Sequence, residues 1–564
     1  MKPVYSSVCA SLRLLRFAST QATTRSPSFG PALHEYTSGR FLFNEDLRRR
    51  ERHLKFNVQA LASAICSSLG RPLEELQSLE KLAEGGFNRI LQATFSDGKE
   101  VLARLPFRLE APIQHSVASE AATLSFLHHH GFPVPKVLGY SPIIDNPVGI
   151  EYIILEKLPG RPLGDRWFSL ENKAVVQVMK QLVDIEQRYL RLPLPASGSL
   201  YFRRDLGSDE EFVPVPDLSA PNLDIGVGPI ASYAWWYRER ARLDIDRGPW
   251  KIFLECFEAA AKRELAFCQK YGKPRLNVER YLRDLDNLEP QDPAYHSQLL
   301  HDFLRLAPSL DIDAGNSLAR PTLRHPDLSP NNILVNDDNE IVGIIDWQHT
   351  VILPLCLCAG IPNHYQNWGD PASDTLRQPE TKLPADYDSM DPASQQNARE
   401  TMRRRLVHFY YAALHLKKAG DHYDAFRNDN SMLRAKLFSR AGAPWEGSSL
   451  SLEHALIEIQ QHWPLHIEGS PPTQAVECPV RYHPDRIQAC LEKVKQEEEQ
   501  LDDLDDMRAM LGTDAQGWVE NDEHLAHAQE MRESMRAGFL QGCETELDRI
   551  AVRDHFPFDD HEEE

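Results

Sequence analysis

The stretch His325-Pro326-Asp327-Leu328-Ser329-Pro330-Asn331-Asn332, then Ile333 to Val335, Asn336-Asp337-Asp338-Asn339, Ile341 to Ile345 and Asp346-Trp347, decides the fold. Two short apolar runs flanking an Asn/Asp cluster predict a hairpin. That hairpin folds Asn332 and Asp346 back to one end of the same cleft. Phosphoryl transfer to a hydroxyl needs three groups there. A carboxylate must position the acceptor and take its proton, a role that fits Asp327. A second carboxylate must hold magnesium against the phosphates, which fits Asp346, and the amide oxygen of Asn332 completes the metal shell. An isolated H-x-D-x-x-x-x-N is weak evidence; joined to a hairpin and an apolar-Asp-Trp, it is strong. The bland reading has Asp327 capping a helix and Asp346 ending a strand, and the upstream segments weigh against it. His325 is read as orienting this loop through hydrogen bonds.

Upstream, Glu84-Gly85-Gly86-Phe87-Asn88 sits between strand-like segments, where glycines let backbone amides approach phosphate oxygens. Taken alone, Gly-Gly in a hairpin is usually just a turn. Asn88 to Phe95 and Glu100 to Leu105 are joined by Ser96-Asp97-Gly98-Lys99, a strong turn signal. Val101-Leu102-Ala103-Arg104-Leu105 places one basic side chain in an otherwise apolar strand, within reach of nucleotide phosphates. A helix follows from about Ser116 to His130, and Glu120 shares a face with Val117, Leu124 and Leu127. An acid on an apolar face calls for a buried partner, and Arg104 is the obvious one.

This order of parts resembles the aminoglycoside phosphotransferase and choline-kinase-like branch of the protein-kinase-like fold. The resemblance implies an α+β, bilobal chain, with a small antiparallel-sheet N-lobe and a large, mainly helical C-lobe. It implies ATP and Mg2+ as cofactors, Asp327 as catalytic base, and Asn332 and Asp346 as metal ligands. Arg104 and Glu120 become the ion pair that places the phosphates. Gly85, Gly86, Phe87, Asn88 and Ala103 join them around the nucleotide, and Ile153 to Leu158, with Glu156 and Leu158, becomes the hinge that meets adenine. Tyr36-Thr37-Ser38-Gly39-Arg40, Gly198 to Phe202, Arg247-Gly248-Pro249-Trp250 and Asp346-Trp347-Gln348-His349 are further similar to the fungal altered inheritance of mitochondria protein 9 family. Two departures stand out: Arg104 replaces the usual lysine and Ser329 replaces a common histidine. Trp347 stands where protein kinases carry Phe-Gly, which argues against a protein-kinase activity.

A net charge of −21 argues against a nucleic-acid partner. No apolar run approaches the roughly 18 residues that span a bilayer. The nine cysteines are scattered without a CxxC pair and read as reduced thiols. Lys2, Arg13, Arg16 and Arg25 precede the first acid, Glu35, and Ser11 to Phe17 can form a basic, apolar helix. That is the composition of a mitochondrial transit peptide, here residues 1–35, with the matrix as expected compartment. Residues 36–75 read as an N-terminal helical extension, 76–160 as N-lobe and 161–483 as C-lobe. Residues 484–564 read as an acidic helical extension that packs weakly on the body, with a disordered end. Asn57 and Gly70 bound one helix near the start. His128 to His130, Trp235, Trp236 and Trp250 take structural readings. The expected activity is transfer of the ATP γ-phosphate to a small-molecule or lipid-derived hydroxyl in mitochondria. The alternative is a nucleotide-binding pseudokinase scaffold, motivated by Arg104 and the long acidic extension.

Overall fold

The computed structural model describes residues 31–107, 112–216, 223–380, 382–418, 420–463 and 477–562. The basic segment read as a transit peptide lies, up to residue 30, outside the described residues. The chain is α+β and bilobal. Its N-lobe is a five-stranded antiparallel sheet in the spatial order Leu76–Glu84, Asn88–Phe95, Glu100–Pro106, Tyr152–Glu156, Val137–Ser141. Alternation drives the second strand, where Leu91, Ala93 and Phe95 turn inward and are fully buried. Gly98 takes a positive φ of 81°, which the Ser96-Asp97-Gly98-Lys99 turn requires.

Helix Val58–Leu69 covers one face of this sheet through Leu61 and Ile65. It starts where Asn57 accepts a side-chain cap from the Ala60 N–H at 3.0 Å and ends at Gly70, φ 64°. Helix His115–His129 joins the lobes, and its Val117, Leu124 and Leu127 enter the same core as Ile333, Ile344 and Trp347. The C-lobe is built on helices Asn172–Tyr189, Phe253–Tyr271, Pro293–Leu306, Pro392–Lys417, Asp429–Ala441 and Leu450–Gln461. Trp235 and Trp250 pack together in a small core of their own, ring centroids 5.2 Å apart. No helix among the described residues is long and apolar enough to cross a membrane.

Two features differ from the sequence expectation. The C-lobe, read as mainly helical, carries strands beyond the hairpin of residues 333–344: Ser199–Phe202, Ile225–Gly228 and Val213–Pro214 form a sheet, and Pro321–Arg324 pairs with Val351–Pro354. Ser199-Leu200-Tyr201-Phe202 is buried at every position, so it shows no period-2 pattern to read.

The acidic extension is also not weakly packed. Helix Pro484–Leu511 seats Cys490 in the C-lobe core, and its far end, with Leu504, Met507 and Leu511, joins Leu42, Phe43, Val519, Leu525, Phe556 and Phe558. Strand Trp518–Val519 pairs with Arg40–Phe41, tying the tail to the N-terminal extension. The acids stay on the solvent side while a sparse apolar stripe finds partners from the other end of the chain. Truncating Phe556 to alanine should therefore cost about 3–5 kcal/mol in urea unfolding. A loss under about 0.5 kcal/mol, the surface-residue range, would restore the weakly packed picture.

Candidate active site

The hairpin register sets the site. Ile333 faces Ile344, and the Ile345 N–H donates to the Asn332 carbonyl at 2.9 Å, so Asn332 and Asp346 emerge together. Asp346 has φ 65°, a left-handed conformation uncommon for a residue with a side chain. Its neighbour Trp347 is buried edge-on against His325, centroids 4.5 Å apart, and donates its indole N–H to the Ile344 carbonyl at 3.0 Å.

His325 fastens this hairpin to the Asp327 loop. Its Nδ1 accepts the Asp327 N–H at 3.1 Å, which leaves Nε2–H to donate to the Ile345 carbonyl at 3.0 Å. Burial pushes its pKa down, in keeping with a neutral ring. Asn332 then spends its amide nitrogen on Asp327, at 2.8 Å to the carbonyl and 3.1 Å to Oδ2. Its amide oxygen is the atom left for a cation. The Asp327 and Asp346 side chains stay 36% and 47% exposed, so both carboxylates face the open cleft.

Arg104 reaches the same point from the N-lobe. Its guanidinium pairs with Glu120, bonds Asp346 Oδ1 at 2.9 Å, and donates to Gln348. Burial raises the Glu120 carboxyl to about 7; the Arg104 charge opposes the rise and Asp346 adds to it. Gln348 went unread as a site residue in the sequence, where only its place beside Asp346-Trp347 marks it. It also accepts from the Asn88 amide at 2.7 Å and donates to Ser116 Oγ at 3.1 Å, so it joins the glycine-rich loop, Arg104 and helix His115–His129.

The glycine-rich loop closes through Gly85 N–H to the Asn88 carbonyl at 2.9 Å, with Gly86 and Phe87 between. The Phe87 carbonyl accepts from Phe107 N–H at 2.7 Å, and its ring meets Tyr233 and His349 of the C-lobe at 5.9 and 6.1 Å. A Cβ on Gly85 would meet nothing nearer than the Asn88 carbonyl oxygen at 4.0 Å. Protein packing therefore does not demand glycine at that position. At the hinge, Glu156 pairs with Val101 and donates its N–H to the Lys136 carbonyl at 2.9 Å, while Leu158 lies against Gly343 of the hairpin.

Ala103 is misplaced in the sequence reading. Strand alternation puts its methyl on the opposite face from Arg104, fully buried in the core beneath helix Val58–Leu69. Leu102, two residues from Arg104, shares the cleft-side face instead and packs on the core between the lobes.

His364 is a second residue to which the sequence assigns no chemistry. Its Nε2 lies 3.4 Å from Asp327 Oδ1. Its segment is pinned on both sides: Arg324 donates to the Cys358 and Gly360 carbonyls, and Asn367 N–H donates to His408 Nδ1 at 2.8 Å. Behind Gly360 lies a buried Glu186–His415–His422 group with metal-ligand spacing. Its members bond to one another and to their neighbours, the Gln187 amide donating to His415 Nδ1 at 2.6 Å. Gly360 N–H donates to His422 Nε2 at 3.2 Å, which leaves the proton on Nδ1, 3.3 Å from His415 Nδ1. His415 Nε2 then lies 3.2 Å from Glu186 Oε2, which also accepts from the Tyr411 hydroxyl at 2.5 Å.

The chain is similar in sequence to several known proteins. The phosphotransferase enzyme family matches residues 78–357. A subtelomeric hrmA-associated cluster protein of Aspergillus fumigatus is 32% identical over 521 residues, which cover 86% of this chain and 97% of that protein. The chain belongs to the phosphotransferase enzyme family. Altered inheritance of mitochondria protein 9, mitochondrial, of Clavispora lusitaniae is 24% identical over 82% of this chain and 83% of its own. Among solved structures, a thermostable mutant of aminoglycoside phosphotransferase APH(4)-Ia, in ternary complex with AMP-PNP and hygromycin B, aligns at 13% identity with a TM-score of 0.33. That alignment covers 73% of this phosphotransferase-family chain and 99% of the other.

Proposed function

We propose that this protein is an ATP- and magnesium-dependent phosphotransferase acting on a small-molecule or lipid-derived hydroxyl in mitochondria. The observation that carries the reading is the Asn332 amide bonded to Asp327 while the hairpin brings Asn332 level with Asp346. A base and two oxygen ligands thereby meet at one mouth. The donor set suits magnesium, a hard cation that takes carboxylate and carbonyl oxygens. Bound there by Asp346 and Asn332, magnesium would supply charge neutralisation at the phosphates. Gly85, with room beside it, and Arg104, with its planar donors, suit the phosphate chain.

In the reaction, Asp327 accepts the acceptor's hydroxyl proton as that oxygen bonds the γ-phosphorus. The bond from the γ-phosphorus to the β,γ-bridging oxygen breaks, and ADP leaves. Glu120 and Gln348 hold Arg104 at the phosphates, and Glu156 and Leu158 offer hinge backbone to adenine. The mitochondrial assignment draws on the basic N-terminal segment and on relatives whose names place them there.

Thermal unfolding with and without magnesium-ATP, beside Asp346→Ala, tests the reading. At about 100 times its dissociation constant ATP should add roughly 2.7 kcal/mol and raise the midpoint. A magnesium-dependent rise that the variant loses supports the phosphotransferase. No rise at millimolar ATP would overturn it and leave a scaffold that no longer uses the cleft.

A further inference from the structure

Two buried charges close the base of the glycine-rich loop, and the lobe that carries them does not satisfy them by itself. Glu84 and Arg89 face each other across the hairpin, and Arg89 Nε donates to Glu84 Oε1 at 2.6 Å. Alternation sends Asn88 toward Gln348 in the cleft and Arg89 to the far face, where it is fully buried. A buried ion pair is stable only when its remaining oxygens and N–H groups are also bonded. Residues 33–52 supply most of those bonds. Glu84 Oε2 accepts from the Thr37 N–H at 2.9 Å, the Ser38 hydroxyl at 3.0 Å and Lys81 at 3.1 Å. Arg89 donates to the Leu33 and Arg52 carbonyls at 2.9 and 3.0 Å.

The C-terminal tail holds that segment in turn. Arg40–Phe41 pairs with Trp518–Val519, Arg40 bonds Asp522, and Arg52 donates to Gln516 at 2.8 Å. The Trp518 indole donates to the Tyr36 hydroxyl at 3.1 Å, and His561 N–H donates to the Asn44 side chain at 2.9 Å. Gly39 has no room for a Cβ, which would overlap the Trp518 indole. The tail is also anchored on the C-lobe, where Arg508 pairs with Glu279 at 3.2 Å and Arg280 donates to the Phe556 carbonyl at 3.2 Å.

We propose that Thr37, Ser38, Glu84 and Arg89 are positioning residues for the nucleotide, and that the tail sets the glycine-rich loop through residues 33–52. The proposal rests on the nucleotide reading above. The tail runs from the C-lobe to residues 36–52, which bond Glu84 and Arg89, so the loop cannot lift without breaking those bonds or moving that segment with the tail.

The test uses the full-length protein. Gly39→Val drives a branched side chain into Trp518; Arg40→Ala removes the Glu45 and Asp522 links without added bulk and serves if the first variant misfolds. Amide hydrogen exchange over residues 84–89, without nucleotide, should quicken about tenfold in Gly39→Val and about threefold in Arg40→Ala, while residues 321–346 stay unchanged. The magnesium-ATP dissociation constant should rise by similar factors. A merely structural role would lower the unfolding midpoint without moving either readout. Unchanged exchange over 84–89, with faster exchange at Arg40–Phe41 and Trp518–Val519, would overturn the proposal. Failure of the wild type to bind magnesium-ATP would count against the nucleotide reading instead, and the exchange over 84–89 would still decide the coupling.

Discussion

Asp327→Asn should lower phosphoryl transfer by about 10²- to 10⁴-fold, the usual contribution of a positioned general base. The change is nearly isosteric. The new amide oxygen can still accept from the Asn332 amide, which now bonds the carboxylate at 3.1 Å, so the loop should hold its shape. What disappears is a group able to take the acceptor's proton, and with it the negative charge beside His364, 3.4 Å away. Magnesium-ATP binding should stay within about a factor of two, because the loss falls on the transition state rather than on ground-state binding. Single-turnover ADP formation and a nucleotide titration separate the two quantities. Wild-type turnover in the variant would remove Asp327 from the chemistry. An equal fall in ATP affinity would make it a structural residue.

Arg104→Met should destabilise the fold by up to about 3–5 kcal/mol once the pH is high enough to ionise Glu120, because it removes the charge that pairs with this buried carboxyl. The loss should depend on pH, and its sign follows from burial. Glu120 is already raised to about 7, and removing the guanidinium that pulls it down raises it further. The unfolded carboxyl ionises near its ordinary value of 4.5. Above that value ionisation favours the unfolded chain, until the folded carboxyl also ionises. The variant should thus lose little at pH 5 and about 1.4 kcal/mol at pH 8, one pH unit above the wild-type value, with the rest appearing only at higher pH, as urea unfolding across that range would reveal. A loss of equal size at both would mean that Glu120 is not the group left stranded. Arg104→Lys separates charge from shape. Lysine can keep the Glu120 pair, but a single ammonium cannot reproduce the planar fork that reaches Glu120, Asp346 and Gln348 together.

Much of this was legible because it is local. The Asn57 cap and Gly70 stop mark their helix by residue type, and Ser96-Asp97-Gly98-Lys99 marks its turn. Asn332 and Asp346 are separated by one hairpin, whose register follows from its apolar runs. Glu120 on an apolar helical face announces a buried cationic partner from the sequence alone. Ala103 was misread for an equally local reason: in a strand, the residue beside Arg104 faces away from it, and the cleft-side neighbour is Leu102.

The sequence by itself determined the joint placement of Asp327, Asn332 and Asp346, and its family resemblance implied the bilobal fold. The placement depends on turn residues and short spacing, which act within a few residues of each other. Tertiary structure alone decided that Gln348 links Asn88, Arg104 and Ser116, that His364 meets Asp327, and that Phe556 and Phe558 cover Leu42 and Phe43. Each of those contacts joins segments far apart in the chain. Burial and hydrogen-bond satisfaction choose such partners only once the chain has folded, and neither leaves a periodic mark on the sequence.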